Sequence, residues 1–383
     1  MELFIEAGAA QITKYGEELC GDNYALIRTA DSVIAVLSDG LGSGVKANIL
    51  ATLTTRILTT MLENDCNLDE VIATIGHTLP ICQVRKVAYS TFTIARIYSD
   101  GRAYLAEFDN PKAFFLRGGR VRALERSQRV IDDKVVQEAH FQVQEGDHLI
   151  FASDGVIHAG VGGVLNLGWR WESVAEYIER LAIEEKDAQA ISDWLVMVTD
   201  QLYVHRPGDD ATVITMKARA PRSTTVLVGP PVNPSDDHTV VRELLAEQGK
   251  KVVCGGTTSN IVARETGSSI SVNLETLTRE VPPTGKIRGI DLVTEGIMTL
   301  AKALKLLKDR ERQSSLEDAN DGASQLAHVL LSSDHVSFLV GRAINPAHQS
   351  PSHPINLALK MKIVDELSAE LAQRGKQVRM SYY

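Results

Sequence analysis

Val33-Ile34-Ala35-Val36-Leu37-Ser38-Asp39-Gly40 and Leu149-Ile150-Phe151-Ala152-Ser153-Asp154-Gly155 follow one pattern, an apolar run that stops at Ser-Asp-Gly. Such a run, bounded by turn residues, predicts a buried strand. Each Asp therefore stands where a buried strand ends and the chain turns on glycine. The mirror arrangement occurs at Gly21-Asp22 before Asn23-Tyr24-Ala25-Leu26-Ile27-Arg28, and at Gly208-Asp209-Asp210 before Ala211-Thr212-Val213-Ile214-Thr215-Met216. In antiparallel pairing the end of one strand lies beside the start of its neighbour. These aspartates are thus expected to converge on one edge of a sheet. A carboxylate cluster repels itself unless hard cations hold it, and all-oxygen ligation suits magnesium or manganese. A lone Asp-Gly is ordinary turn chemistry, as Asp100-Gly101 illustrates. The ordered set points instead to a two-metal hydrolase site.

At 383 residues the chain is long enough for two domains with their own cores. A hydrophobic content of 44% and a charged content of 23% are those of a soluble globular protein. No apolar run approaches the roughly 20 residues that span a bilayer, and Met1-Glu2-Leu3-Phe4-Ile5-Glu6 lacks a secretory pattern. The net charge of −9 argues against a nucleic-acid surface. Cys20, Cys66, Cys82 and Cys254 show neither CxxC pairing nor zinc spacing and are expected to be reduced thiols. The expectation is a cytoplasmic protein without nucleic-acid or membrane partners.

The first 218 residues read as strand-rich with helical inserts. Ser43 caps an expected helix to about Asn64, with Leu50, Leu53, Ile57 and Met61 on one face. Asn67 and Glu70 predict a second helix toward Leu79. Thr91 to Tyr98 and Ala103 to Glu107 form a hairpin across Ser99-Asp100-Gly101. Gly118-Gly119 reverses Phe114-Phe115-Leu116 into Val121-Arg122-Ala123-Leu124, and two further helices cover about Glu172–Ile183 and Asp187–Tyr203. The order predicts an α+β fold, an antiparallel β-sandwich flanked by helix pairs. Ala220-Pro221-Arg222-Ser223 marks a boundary, giving domains 1–220 and 221–383. Beyond it, strands at Thr225–Val228, Lys251–Cys254, Ile290–Val293, Val336–Val340 and Val378–Met380 alternate with helices at Asp237–Gln248, Asn260–Glu265, Gly296–Leu307 and Leu357–Gln373. That alternation predicts a smaller α/β domain with a mostly parallel sheet. Lys308–Asp321 is charged and expected to be an exposed loop.

Gly21-Asp22, Ser38-Asp39-Gly40-Leu41-Gly42-Ser43-Gly44, Ser153-Asp154-Gly155 and Gly208-Asp209-Asp210-Ala211-Thr212 fall in the order and spacing of the metal-dependent (PPM-type) Ser/Thr protein phosphatases. The Asp-Gly-Leu-Gly-Ser-Gly form, with Tyr89-Ser90-Thr91 downstream, resembles the bacterial SpoIIE-like branch over residues 6–218. The resemblance implies dephosphorylation of phosphoserine or phosphothreonine on a regulatory partner protein by a water activated between two Mn2+ or Mg2+ ions. It implies that Asp39 bridges the ions beside the Gly40 carbonyl. Asp154 and Asp209 then bind one ion, and Asp22 reaches the other directly or through water. Asp210 stands where the family has Asn, which leaves open which of Asp209 and Asp210 binds. Eukaryotic members carry a His where this chain has Leu41, and the Arg that grips phosphate in some members has no counterpart. A phosphatase-like binding or scaffold module with weak or lost catalysis is the alternative that Leu41 raises.

Other motifs divide between chemistry and plain structure. Gly42-Ser43-Gly44 is either a phosphate cradle or a loop with an N-cap, and Tyr89-Ser90-Thr91 either a family motif or a strand start. Cys254-Gly255-Gly256-Thr257-Thr258-Ser259-Asn260 joins a strand to a helix. It lacks the P-loop ending and is not GxGxxG. Gly255, Gly256, Thr257 and Thr258 are candidates to bind an anion or nucleotide phosphate, or a plain link. Asp291-Leu292-Val293-Thr294-Glu295-Gly296 is a second junction able to line the same edge. A small-molecule effector at this C-terminal domain is one expectation, and a nucleotide-using transferase is a rival. His335, His348 and His353 are too irregular to suggest a metal site, and Cys254 reads as a buried thiol before a redox sensor. A homodimer remains open.

Overall fold

The computed structural model describes residues 2–64, 66–78, 90–131, 134–181, 187–309, 316, 320–343 and 355–383. The chain divides into two compact units, Met1–Ala220 and Pro221–Tyr383. In the first, β1 (Phe4–Ile12), β2 (Asp22–Arg28) and β3 (Ser32–Asp39) precede α1 (Gly44–Glu63) and α2 (Leu68–Thr78). There follow β4 (Phe92–Tyr98), β5 (Arg102–Phe108), β6 (Phe114–Arg117), β7 (Arg120–Arg122), β8 (Ser127–Ile131), β9 (Lys134–Gln142) and β10 (His148–Ala152). Then come α3 (Asp154–Ile157), α4 (Trp171–Leu181), α5 (Ala188–Leu202) and β11 (Ala211–Arg219). These strands make two antiparallel sheets, ordered β1-β11-β10-β6-β7 and β2-β3-β4-β5-β9-β8.

Both faces of each sheet are covered, which is why the quoted strands lack a polar face. Successive side chains of a strand point to opposite sides. Val33, Ala35 and Leu37 of β3 meet Leu149 and Phe151 of β10 in the core between the sheets. Ile34 and Val36 face Leu58, Leu62, Ile72 and Ile75 of α1 and α2. Ile150 and Ala152 face Val174, Ile178, Ile191 and Leu195 of α4 and α5. Each such large side chain contributes about 1.5–3 kcal/mol on burial.

Helix α1 turns a different face inward from the one its larger residues suggest. Ala47, Ala51, Leu58 and Leu62 are buried, whereas Leu53 is 50% exposed. The cause is a close crossing: a Cβ on Gly40 would lie 2.1 Å from the Ala47 carbonyl oxygen. Small residues must face the sheet there. Ser43 is the N-cap, but its hydroxyl donates to Glu17 Oε1 at 2.9 Å instead of capping the helix. At α2, Asn67 Oδ1 accepts from Asp69 N as a cap should. Leu79, Cys82, Tyr89 and Ile183 lie outside the described residues.

The second unit runs β12 (Ser223–Val228), α6 (Asp237–Ala246), β13 (Lys250–Cys254), α7 (Gly256–Thr266), β14 (Ser271–Asn273), β15 (Thr284–Lys286), β16 (Leu292–Thr294) and α8 (Ile297–Lys308). It continues with α9 (Gly322–Ser332), β17 (His335–Val340), α10 (Ile355–Gln373) and β18 (Gln377–Tyr382). The sheet order is β14-β15-β16-β13-β12-β17-β18, parallel from β16 to β18. Helices α8, α9 and α10 cover one face and α6 and α7 the other. Helix α7 begins at Gly256, four residues before the expected Asn260: its Gly-Thr-Thr opening has poor helix propensity, yet Thr258 and Ser259 are buried. Helix α9 was not expected at all. Asp321 Oδ1 caps it, accepting from Ala323 N and Ser324 N at 3.0 and 3.1 Å. Residues 310–315 and 317–319 of the expected Lys308–Asp321 loop, with His348 and His353, fall outside the described residues. Among the described residues no helix is long and apolar enough to cross a membrane.

Candidate functional site

The aspartates do gather at one end of the first unit, but not on one sheet. Asp39 closes β3, and Asp22, which opens β2, is its direct partner across that ladder. Asp154 follows β10 as the first residue of α3, and Asp209-Asp210 lead into β11, both in the other sheet. The expectation of a single edge is therefore corrected to the facing ends of two sheets. Stacked sheets put the ends of their strands side by side as readily as neighbours in one ladder do.

Asp22 joins the two sheets. Its Oδ2 accepts Ser153 Oγ at 2.6 Å and Thr212 Oγ1 at 2.7 Å, and Thr212 N donates to Ser153 Oγ at 2.9 Å. Its other oxygen, Oδ1, is buried and has no hydrogen-bond partner. Asp210 is also buried: Oδ1 accepts Lys14 N at 2.9 Å, and Oδ2 has no partner. Asp209 is half-buried, with Lys14 Nζ 3.7 Å from its Oδ1. A buried Ser38–Ser90 hydroxyl pair, 2.6 Å apart, fastens the end of β3 to the chain entering β4. Gly40 pairs with Ser90 beside Asp39. Gly155 serves the approach from the other sheet, because a Cβ there would stand 2.0 Å from the Asp210 carbonyl oxygen. Tyr203 OH donates to the Gly155 carbonyl at 2.9 Å.

The electrostatics are those of crowded like charge. Burial, then the charges of Asp22, Asp154, Asp209 and Asp210, push the Asp39 carboxyl up to about 9. Burial pushes Asp22 up to about 7; the Ser153 and Thr212 hydrogen bonds pull it back, and Asp210 and Asp154 push it further up. Burial and Asp154 raise Asp209. Among the described residues no three Asp, Glu, His or Cys side chains are already drawn together as a ready ligand set. The carboxylates nevertheless suit a divalent cation. The donors are all oxygen, two buried carboxylate oxygens lack any partner, and the carboxylates crowd one another.

Lys14 and Tyr203 lie outside every motif read from the sequence, whereas Ser38, Ser90, Ser153 and Thr212 stand inside the quoted motifs with no role assigned to them. Ser153 and Ser38 stand inside the repeated Ser-Asp-Gly, so the repeat itself was their available signal. Lys14 carries none. Gly255, Gly256, Thr257 and Thr258 belong to the second unit, where they form the N-cap and first turn of α7.

Residues 29–219 match the family model described as Stage II sporulation protein E (SpoIIE). Stage II sporulation protein E of Bacillus subtilis (strain 168) is 26% identical over 219 residues, 56% of this chain and 26% of its own length. That of Priestia megaterium is 26% identical over 219 residues, 36% of its own length. The chain thus spans about a quarter to a third of the curated relatives it matches. A solved structure of the PP2C phosphatase domain and a regulatory-domain fragment of SpoIIE from Bacillus subtilis aligns with 57% of this chain and 64% of its own at 26% identity, with a TM-score of 0.48.

Proposed function

Residues 29–219 belong to the SpoIIE family, and from that premise we propose that the chain is a metal-dependent protein serine/threonine phosphatase acting on a phosphorylated regulatory partner protein. The observation that supports this most directly is the buried, unpartnered carboxylate oxygen Asp22 Oδ1, on the residue that pairs directly with the half-buried Asp39. Asp22, Asp39, Asp154, Asp209 and the Gly40 carbonyl would hold two Mn2+ or Mg2+ ions. Bound there, such ions make a water acidic enough to attack and shield the phosphate charge. Ser153 and Thr212 hold the Asp22 carboxylate in one orientation. Asp209, half-exposed and facing Asp154, is the better ligand of its pair. Asp210, pinned by Lys14 N, positions the turn. Leu41 has no proton to give, so the leaving serine oxygen takes its proton from solvent. The second unit serves as a sensing or docking domain.

The test is hydrolysis of a phosphoserine peptide with manganese or magnesium, wild type against Asp39→Asn. The expected result is cation-dependent turnover that falls about a hundredfold or more in the variant. Equal activity in both proteins would remove Asp39 from the site. Cation binding without turnover by the wild type on any phosphoprotein would favour the alternative of a binding module.

A further inference from the structure

Four parallel strands of the second unit run into glycines: Gly229 after β12, Gly255 after β13, Gly296 just beyond β16 and Gly341 after β17. Close packing accounts for Gly341, where a Cβ would lie 2.1 Å from the Pro230 carbonyl oxygen. Gly255 and Gly296 are the N-caps of α7 and α8, which lie on opposite faces of the sheet. Their N-termini nonetheless meet, since a Cβ on Gly296 would stand 3.6 Å from Gly255 Cα. Two positive helix ends are thereby brought together, each with first-turn N–H groups that have no intrahelical acceptor. The parallel strands have the order third, second, first, fourth, fifth. Open sheets of that order take ligands beyond the carboxyl ends of their strands.

A second observation lies beneath these turns. The third residue of each helix is a threonine, Thr258 in α7 and Thr299 in α8, exposed by only 1% and 0%. Neither hydroxyl has a hydrogen-bond partner. A polar side chain at this position ordinarily reaches back to the N-cap N–H. Here both are already engaged: Gly255 N donates to the Thr294 carbonyl at 2.9 Å and Gly296 N to Glu295 Oε2 at 3.3 Å. Thr258 Oγ1 lies 3.2 Å from the position of a Cβ on Gly255, directly under the turn. A buried hydroxyl left unpaired is destabilising, and a polar ligand atom would relieve it. Glu295 already lays a carboxylate beside these turns, its Oε1 3.4 Å from the Cβ position of Gly256. At the strand end beyond, the buried Lys360 donates from Nζ to the Gly341 carbonyl at 2.5 Å and sits against Gly229. It adds a positive charge to the same edge.

We propose that this edge binds a phosphate-bearing small molecule, its phosphoryl group seated on the paired N-termini of α7 and α8, in place of the Glu295 carboxylate and in contact with Thr258. The site is independent of the carboxylate centre and stands whether or not the chain is a phosphatase.

The test is calorimetric titration of the full chain with inorganic phosphate, ribose 5-phosphate and AMP. Metal is chelated, and Asp39→Asn is the background, so that the first unit contributes nothing. The expected result is saturable 1:1 binding of at least one probe, weakened tenfold or more by Thr258→Val and by Gly256→Asp. Thr258→Val removes the unpaired hydroxyl at constant shape and should raise the melting temperature of the free protein while lowering affinity. A threonine with only a structural role would not separate the two. Gly256→Asp lays a second carboxylate on the exposed turn. Equal affinity for all three probes makes free phosphate the sufficient ligand, whereas tighter AMP binding makes it a nucleotide. Absence of saturation with every probe up to about 10 mM, a concentration corresponding to only a few kcal/mol of affinity, overturns the proposal. Binding unchanged by both substitutions does so as well.

Discussion

The carboxylate edge of the first unit and the glycine edge of the second present the same irregularity with opposite sign. Among the described residues the buried side-chain oxygens without a partner are Asp22 Oδ1 and Asp210 Oδ2 in one, Thr258 Oγ1 and Thr299 Oγ1 in the other. The first edge buries a set of crowded carboxylates, and burial, then their mutual repulsion, raises Asp39, Asp22 and Asp209. The second converges two helix N-termini and brings up Lys360. One edge calls for a cation and the other for an anion. A core left to optimise stability alone would pair or replace such atoms, because an unpaired buried polar group destabilises. Their confinement to strand ends, where the backbone is free to receive something, is what makes them informative.

The glycines provide the sharpest way to break the comparison, and the largest effect is expected in the first unit. Gly155→Ala puts a methyl group 2.0 Å from the Asp210 carbonyl oxygen, and Gly40→Ala puts one 2.1 Å from that of Ala47. Both contacts are with backbone, which cannot rotate away. Each substitution should destabilise by about 1–3 kcal/mol or more and displace an aspartate of the site. Chemical denaturation and peptide hydrolysis measured together would check this. Unchanged stability would mean that these glycines are merely turn formers.

Protonation gives a smaller and signed effect. Asp39 and Asp22 are raised to about 9 and about 7, so the folded state holds protons that the unfolded chain has released. Stability of the metal-free protein must then fall as pH rises through the window between the unfolded carboxylate range and those values. Asp39→Asn is neutral without taking up a proton, so it escapes that cost. Without metal it should melt above the wild type at about pH 8, by about 2–4 °C for each kcal/mol, and the gap should close toward pH 5. Added manganese should raise the wild type and leave the variant behind. A gap independent of pH would mean that the cluster is not electrostatically strained.

The local parts of this architecture were legible and the crossings between sheets were not. Val33–Leu37 and Leu149–Ala152 are apolar on both sides because each sheet is covered twice, and that pattern lies within a few residues. The Asp100-Gly101 hairpin is equally local. What escaped depends on partners far along the chain. Ser153 and Thr212 reach Asp22 across 131 and 190 positions, and nothing near Asp22 predicts them. The inner face of α1 was misjudged because residue size suggested Leu53, while the close crossing at Gly40 selects alanines. Gly256-Thr257-Thr258 has the propensity of a loop, so the sequence pattern starts α7 four residues late, past the residues proposed to meet a ligand.

Gly256 carries the smallest predicted effect and the most pointed one. It opens α7 in an exposed position, its φ is not positive, and a Cβ there would meet Glu295 Oε1 at 3.4 Å, an ordinary contact. Nothing in the packing demands glycine, unlike Gly40 and Gly155. Alanine should therefore be neutral to slightly stabilising, by up to about 0.5–1 kcal/mol, because glycine loses more chain entropy in a helix. If Gly256→Ala raises stability while weakening phosphate binding, glycine is kept there for approach and not for the fold. A loss of stability comparable with that of Gly155→Ala would give the two edges the same explanation, tight packing, and remove the contrast between them.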